Sequence, residues 1–369
     1  MWHAVGPAYP SATFFPRFAL ESPVPLSDYD YDLPRSFIAQ EGVEPRDSAK
    51  LLVLPREGAA QHRTVSDLPA ILGRGDVLVL NESRVLPARV MCRKPTGGKA
   101  ELLFLGPGED EKAECLVGGK GLKEGSTVVI GVGTDVVEAE LVRSLGEGKF
   151  RVRLPEGTTA MSVMSRWGEM PTPPYIRSRL RDQARYQTTF ARVDGSVAAP
   201  TAGLHFTPRL FEGLARSGVS IMRLVLHVGL GTFRPVRAER EQDHVMDSER
   251  VSVPQAVADA LNGAVEEGRH VFAVGTTTVR SLETATDEHG HVHPIEGATD
   301  LFIYPPYRFR FPYAGMLTNF HLPRSTLLML VSAYAGRGRI LGAYEEAKTA
   351  GYRFYSLGDA MLIQGGPVG

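Results

Sequence analysis

Between residues 84 and 157 the chain consists of short β-rich pieces separated by glycine-bearing turns. The pieces are PARVMCR, KAELLFL, KAECLV, STVVIG, VVEAELVRS and KFRVRL, and the turns include PTGGK, GPGED and LGEGK. Because no helical period lies between the pieces, the pattern is typical of a small antiparallel barrel or sandwich. From about Pro155 onwards, helical and strand-like segments alternate, which predicts an α/β structure with a partly parallel sheet.

We therefore expect an α/β fold in three parts. A mixed-sheet α/β body, 28–83 and 158–369, is interrupted by an inserted all-β domain, a small antiparallel barrel, at 84–157. An extended leader, 1–27, precedes the body and lacks the basic start and apolar core of a signal peptide. No apolar run reaches the roughly 20 residues that cross a bilayer. The chain has only two cysteines, too few for a disulfide framework. We expect a cytoplasmic monomer with no membrane partner and no bound metal.

The stretch AVGTTTVRSLE, 273–283, runs from an apolar strand end into a glycine, three threonines and an arginine. Unpaired N–H groups and the helix dipole suit such a helix start to an anion. Thr276, Thr277, Thr278 and Arg280 are therefore candidate ligands of a carboxylate or phosphate. The alternative is that Thr276 or Thr277 only caps the helix, since hydroxyl caps are common.

Three further strand-to-turn junctions carry histidines. They are LVLHVGLGTFRPV with His227, VAAPTAGLHF with His205, and LTNFHLPRSTLL with Asn319 and His321. Taken singly, these residues are also explained as core histidines, as tight loop packing, or as turn and cap residues. Together they predict one pocket, because a single sheet edge can gather all of them.

Two more histidine-bearing segments have weaker signals. His244 lies between carboxylates in EQDHVMDSE, where a carboxylate–imidazole pair would make a general base, although most such clusters are solvated surface. HGHVH, 289–293, has metal-like spacing, but a polar loop offers its side chains no fixed scaffold. The sequence therefore requires no metal.

Arginines beside aromatic rings and prolines form candidate RNA contacts. Arg308 and Arg310 lie within FIYPPYRFRFPYAG, 302–315, and Arg177 and Arg179 lie within MPTPPYIRSRL. Rings next to guanidiniums suit unpaired bases and phosphates. The same composition also makes ordinary surface loops, and the net charge of −1 gives a nucleic-acid partner no support.

Nine blocks resemble, in order, those of the S-adenosylmethionine:tRNA ribosyltransferase-isomerase family of queuosine synthesis. They run from about Asp28 to Ile363 and are YDLPRSFIAQ, NESRVLPAR, MPTPPYIR, AAPTAGLHF, LHVGLGTFRPV, DHVMDSE, AVGTTTVRSLE, LTNFHLPRSTLLMLVSA and YRFYSLGDAML. The resemblance implies an α/β body with an inserted barrel. It also implies transfer of the ribosyl group of S-adenosylmethionine to 7-aminomethyl-7-deazaguanine at the tRNA wobble position. Isomerisation then gives epoxyqueuosine, with release of adenine and methionine. S-adenosylmethionine is thus a co-substrate, and no cofactor is permanently bound.

The resemblance also implies roles for the residues in these blocks. His205, His227, His244 and His321 are the candidate proton carriers, with base and acid left unassigned. The candidate substrate-binding residues are Thr276, Thr277, Thr278, Arg280, Thr232, Arg84, Arg89, Asn319 and Asp359. The threonine–arginine junction is expected to hold the methionine carboxylate rather than a tRNA phosphate. For Arg84 and Arg89 the alternative is a salt bridge at the boundary of the insert. Glu82 and Ser83 stand where relatives often have Asn-Thr, and the leader has no counterpart.

Two other classes of function stay open. A nucleotide-dependent oxidoreductase rests on GLGTF alone, and the missing third glycine and Pro235 count against it. A non-catalytic RNA-binding protein would use the β insert and the aromatic–arginine segment, but it leaves the histidine junctions unexplained. An ordinary methyltransferase is disfavoured, since no glycine-rich loop follows an N-terminal strand.

Overall fold

The computed structural model describes residues 25–108, 111–173, 175–176, 182–229, 231 and 241–367. In chain order the strands are β1 (Lys50–Leu54), β2 (Gln61–Thr64), β3 (Val77–Asn81), β4 (Ser83–Val85), β5 (Arg89–Arg93), β6 (Lys99–Phe104), β7 (Lys112–Gly118), β8 (Thr127–Val132), β9 (Asp135–Gly146), β10 (Lys149–Arg153), β11 (Gly168–Glu169), β12 (Val193–Ser196), β13 (Ser220–Leu226), β14 (Glu249–Val253), β15 (Val271–Val274), β16 (Ile295–Thr299), β17 (Gly315–Asn319) and β18 (Ala360–Gln364). The α-helices are α1 (Leu68–Ile71), α2 (Ala160–Trp167), α3 (Pro208–Arg216), α4 (Gln255–Glu266), α5 (Thr276–Ala285), α6 (Thr326–Ala335) and α7 (Arg337–Thr349). No helix in the described part of the chain is long and apolar enough to span a membrane.

A mixed sheet forms the centre of the α/β body. Within the described residues its strand order is β16-β14-β13-β3-β15-β17-β18-β1-β2. Neighbours within the group β13, β3, β15 and β17 are parallel, so the carboxyl ends of these four strands meet at one edge. β18 runs antiparallel to β17 and parallel to β1. The predicted mixed-sheet α/β body is therefore confirmed.

Strand β3 shows why helices cover both faces of this sheet. Val77 and Val79 belong to the hydrophobic cluster that contains residues of α4, α5, α6 and α7. Leu78 and Leu80 belong to the cluster that contains residues of α1 and α3. Successive side chains of a strand point to opposite faces. A continuous apolar run such as VLVL is therefore what a strand covered on both faces requires.

The inserted domain is a closed antiparallel barrel. Strands β5, β6, β7, β10, β9 and β8 follow one another, and pairing of β5 with β8 closes the ring. β6 alternates buried and partly exposed residues, as a barrel wall with one filled side must. The hydrophobic cluster inside the barrel includes Val90, Leu102 and Phe104, and none of these three residues is accessible to solvent. The predicted small antiparallel barrel is confirmed.

The hydrophobic cluster of the barrel extends beyond residue 157. Ala160, Val163 and Met164 of α2 belong to it, and Trp167 packs against it. β11 then adds to the barrel wall by pairing with β5. We therefore propose that the inserted domain ends after Glu169 rather than at 157.

The helix starts follow the sequence signals with one exception. Thr207 and Ser325 cap α3 and α6, where each side chain accepts a hydrogen bond from a backbone N–H three residues on. At α5, however, the N-cap is Gly275, with φ of 88° and no side-chain cap, a conformation that glycine adopts most readily. The alternative that Thr276 or Thr277 caps this helix is therefore wrong. The Thr278 hydroxyl instead donates to the Val274 carbonyl at 2.7 Å.

Candidate functional site

Asn81, at the end of β3, connects three elements at the sheet edge. Its Nδ2 atom donates to the Leu226 carbonyl at 2.9 Å and contacts the Thr277 hydroxyl at 3.4 Å. Its Oδ1 atom accepts from the N–H groups of Leu226 and Ser83, both at 3.1 Å. Asn81 therefore joins the ends of β3 and β13 to the start of α5.

His205 and Asn319 meet at the same edge, next to β17. His205 ends a short 3₁₀ helix, Thr201–His205, and its Nε2 atom lies 3.4 Å from Asn319 Nδ2. The Thr201 hydroxyl donates to Asn319 Oδ1 at 2.9 Å. The helix packs closely on its surroundings, because a Cβ at Gly203 would lie 2.8 Å from Phe190. Two residues that the sequence placed in separate blocks therefore form one contact.

Burial keeps the His205 ring neutral. His205 is only 5% exposed, and this burial lowers the pKa of its ring to about 4. A hydrogen bond to the backbone of Arg46 opposes this shift, while the charges of Arg353 and Arg46 add to it. At neutral pH the ring is therefore uncharged and able to accept a proton.

His205 borders a cleft of about 320 Å³. The cleft is lined by Glu41, Gly42, Val43, Arg46, Asp182, Arg185, Leu204, His205, Ser356, Leu357 and Gly358. Arg46 is fixed by two backbone carbonyls, those of Gln187 at 2.7 Å and Ala184 at 3.1 Å. Arg185 pairs with Glu44 at 2.9 Å. Two positioned guanidiniums beside a neutral imidazole suit a substrate that carries negative charge.

One wall of the cleft has a strained backbone. Tyr355 adopts φ of 74°, which is rare for a bulky residue and costs of order 1–3 kcal/mol. Its ring packs 4.1 Å from that of Tyr175, whose hydroxyl lies 2.6 Å from the Ser356 hydroxyl. At Gly358 a Cβ would lie 2.3 Å from the Arg353 carbonyl. Strain of this kind is concentrated at functional sites.

Asp359, a predicted substrate-binding residue, supports this wall from inside. It is 2% exposed, and its carboxylate accepts from the backbone N–H groups of Lys50 at 3.0 Å and Arg353 at 2.7 Å. Its oxygens thus hold the turn between Arg353 and β18. Asp359 shapes the cleft in this structure rather than lining it.

The other three predicted histidines lie apart from the cleft. His321 is 4% exposed, its Nε2 atom lies 2.9 Å from the Thr318 hydroxyl, and burial lowers its pKa to about 3. His227 lies at the end of β13, where burial and then the charge of Arg250 lower its pKa to about 4. Burial also lowers the pKa of His244, whose ring contacts Phe302. Within the described residues, no hydrogen bond joins any two of the four histidines.

Arg280 is already paired with a carboxylate of the protein. Its Nη1 atom donates to Glu249, and its Nε atom donates to the Leu301 carbonyl at 3.0 Å. Both side chains of the pair are nearly buried, at 6% and 4% exposure. The other Glu249 oxygen accepts from the Gly229 N–H at 2.7 Å. The guanidinium therefore ties α5 to β14 and the start of the glycine turn, and its Nη2 atom has no partner among the described residues.

Arg84 and Arg89 have the ion pairs that the alternative interpretation predicted. Arg89 pairs with Glu101 across β5 and β6 at 2.7 Å. Arg84 lies 3.6 Å from Asp194 and donates to the Ala191 carbonyl at 2.6 Å. Both arginines therefore have a structural partner where the insert begins.

The aromatic–arginine segment packs largely inwards. Phe311 and Tyr313 are 1% and 3% exposed, so these two rings have no free face for stacking on a base. Glu283 of α5 anchors the segment by accepting from the hydroxyls of Tyr307 and Tyr313. Arg310 donates to the Thr286 carbonyl at 3.2 Å, whereas Arg308 is exposed. The other predicted contacts, Arg177, Arg179 and Thr232, lie outside the described residues.

Several residues of the site were not predicted from the sequence. They are Asn81, Arg46, Asp47, Ser356, Glu249 and Glu283. Their common property is a partner distant in the chain, which a single sequence does not reveal. Asn81 is the one of these residues that the sequence could have indicated, because it ends a strongly apolar strand just before a predicted domain boundary.

Asp47→Asn is expected to destabilise the protein more at pH 7 than at pH 3. Burial raises the pKa of Asp47, but hydrogen bonds from Arg209 and Thr207 outweigh burial and bring the pKa below its ordinary value. As the pH falls from the ordinary pKa of Asp47 in the unfolded chain to its lower pKa in the folded protein, the unfolded state binds more protons than the folded state. The contribution of the carboxylate to stability is lost over this range. Chemical denaturation of variant and wild type at both pH values measures the difference. Equal losses at the two pH values would contradict the prediction.

Comparisons with a family model, with related sequences and with a solved structure all identify the same family. The model of a family described as queuosine biosynthesis protein matches residues 26–363. The S-adenosylmethionine:tRNA ribosyltransferase-isomerase of Moorella thermoacetica is 50% identical over 352 residues, covering 92% of this chain and 99% of the relative. That of Thermus thermophilus is 51% identical over 346 residues, with coverage of 92% and 99%. A crystal structure of S-adenosylmethionine tRNA ribosyltransferase from Thermotoga maritima is 36% identical, covers 91% of this chain and 100% of its own, and has a TM-score of 0.52.

Proposed function

The chain belongs to the queuosine biosynthesis protein family, and from this premise we propose that it is an S-adenosylmethionine:tRNA ribosyltransferase-isomerase. It transfers the ribosyl group of S-adenosylmethionine to 7-aminomethyl-7-deazaguanine at the tRNA wobble position and isomerises it. The products are epoxyqueuosine in tRNA, adenine and methionine. S-adenosylmethionine is a co-substrate, and the proposal needs no permanently bound cofactor. We propose that the protein acts in the cytoplasm as a monomer.

The observation that carries this proposal is the cleft that is lined by His205, Arg46 and Arg185. The reaction needs a base for the proton next to the sulfonium, an acid for the leaving adenine, and a pocket that excludes water. His205 is buried, uncharged and beside the cleft, as a base requires. The arginines suit the phosphates that flank the wobble nucleotide.

Adenine release from S-adenosylmethionine is expected only with tRNA that carries 7-aminomethyl-7-deazaguanine. Purified protein is mixed with both substrates, and free adenine is followed by chromatography. The matched control is the same tRNA with unmodified guanine at the wobble position. Association with tRNA should weaken as salt increases, because phosphate contacts release counterions.

A folded protein that binds this tRNA and releases no adenine would contradict the proposal. The chain would then be better described as a non-catalytic RNA-binding protein. Equal release with unmodified tRNA would also contradict it, because the modified base would no longer be the acceptor.

A further inference from the structure

We propose that His205 is the base of this reaction, and that Asn319 and Thr201 are positioning residues that present its Nε2 atom as a proton acceptor. The inference rests on the proposed function and assigns a proton-transfer role that the sequence left open. It is carried by the chain of contacts from Thr201 through Asn319 to His205.

In the amide orientation of this structure, Asn319 presents its nitrogen atom to His205. The Thr201 hydroxyl donates to Oδ1 of Asn319 at 2.9 Å, which leaves Nδ2 facing His205 Nε2 at 3.4 Å. An amide nitrogen donates and does not accept, so Nε2 holds a lone pair. The ring proton is then on Nδ1. The hydrogen bond with the Arg46 backbone favours a protonated nitrogen and is consistent with this tautomer.

The charged groups around His205 disfavour a protonated ring before the reaction. Arg46 and Arg353 both act against a positive ring. Arg185 adds another positive charge to the lining of the cleft, and Glu41 and Asp182 are the carboxylates that line it. None of the carboxylates pairs with the His205 ring in the described structure. A ring that is neutral before the reaction has no acidic proton to give, so another group must protonate the departing adenine.

The proposed step is balanced in protons and electrons. The Nε2 lone pair bonds to the proton on the carbon next to the sulfonium, and the electron pair of that C–H bond stays on the carbon. The adjacent positive sulfur stabilises the negative charge left on the carbon, and the His205 ring becomes an imidazolium. The long Nδ2 to Nε2 contact is the one that gives way to the substrate, since Asn319 stays anchored by Thr201.

Thr201 also suits the protonated state. A half-turn of the Asn319 amide brings Oδ1 to the new Nε2–H group, while Nδ2 turns towards Thr201. A hydroxyl both donates and accepts hydrogen bonds, so Thr201 supports either amide orientation. Valine has the same shape as threonine but no hydroxyl, so it supports neither amide orientation.

Asn319→Asp tests the positioning of the ring. A carboxylate this close to an imidazole favours the charged form, so the pKa of His205 is expected to rise by about one to three pH units. NMR titration of histidine-labelled free protein measures it, with the resonance assigned from His205→Gln. The acid limb of the kcat profile should move to higher pH by the same amount. His289→Gln, at a side chain 82% exposed, is the control and should leave both curves unchanged.

Thr201 variants test the same contacts without adding charge. Thr201→Val should lower kcat, and Thr201→Ser should retain it, with folding of each variant checked by its thermal unfolding midpoint. A His205 titration and an acid limb that Asn319→Asp does not move would overturn the positioning role. Wild-type protein that releases no adenine would overturn the base role together with the proposed function. The NMR titration, which needs no turnover, would still decide whether Asn319 positions the ring.

Discussion

Replacing His205 with glutamine is expected to slow adenine release by about 100- to 10,000-fold, the range that a positioned base contributes. Glutamine retains hydrogen-bonding groups of similar reach but has no nitrogen that accepts a proton at neutral pH. Substrate binding should change much less than kcat, because Arg46 and Arg185 are held by their own partners. Steady-state rates of adenine release, with tRNA affinity measured separately, give the two quantities.

The matched control for this replacement is His289→Gln, which should have wild-type kinetics. A His205→Gln variant that stays folded and keeps more than about a tenth of the wild-type kcat would contradict the assignment. The base would then have to be sought among the other three histidines.

Replacing Glu249 with alanine is expected to lower the free energy of unfolding by about 3–5 kcal/mol. The change leaves the Arg280 guanidinium buried without its charge partner and the Gly229 N–H without its acceptor. Breaking one side of a buried pair is costly because the other charge stays desolvated. Denaturant unfolding, followed by circular dichroism, measures the loss.

An exposed ion pair provides the comparison for Glu249. Glu140 pairs with Arg153 at the surface of the barrel, with side chains 43% and 56% exposed. Glu140→Ala should cost about 1 kcal/mol or less. Similar losses for Glu140→Ala and Glu249→Ala would contradict the prediction that burial sets the cost.

This prediction also changes how variants of Arg280 should be interpreted. Arg280→Ala leaves Glu249 buried and unpaired, so lost activity in that variant does not by itself identify a ligand contact. The double replacement Glu249→Leu with Arg280→Met removes both charges while keeping apolar volume. It therefore separates binding of the methionine carboxylate by Arg280 from the stability of the ion pair.

Local sequence patterns predicted most of the fold. The alternation of helical and strand-like segments indicated the α/β body, and the spacing of glycine turns indicated the barrel. The end of the insert was harder to predict, because α2 has an ordinary amphipathic pattern. Only its packing onto the barrel interior shows which core it joins. The alternative of a capping threonine at α5 could not be excluded from the sequence, since Gly275 takes the cap position through a backbone angle that the sequence does not display.

The candidate site was predictable only where it follows the sheet edge. His205 and Asn319 stood next to strand and helix signals, and parallel strands bring such ends together. Arg46 and Arg185 come from loops about 140 positions apart, and no periodicity marks them. Phe311 and Tyr313 show the opposite error. Their rings have the composition of a base-stacking surface, but the buried carboxylate of Glu283 draws their segment into the core.

The barrel begins and ends side by side, since Gly168 of β11 lies opposite Val90 of β5. The inserted domain therefore connects to the nine-stranded sheet as a loop does, with its two ends next to each other. The entropy of closing such a loop grows slowly with its length, by about 0.6 kcal/mol for each doubling. Insertions and deletions in the hairpins of the barrel can accumulate over evolution without rebuilding the sheet edge that carries His205 and Asn319.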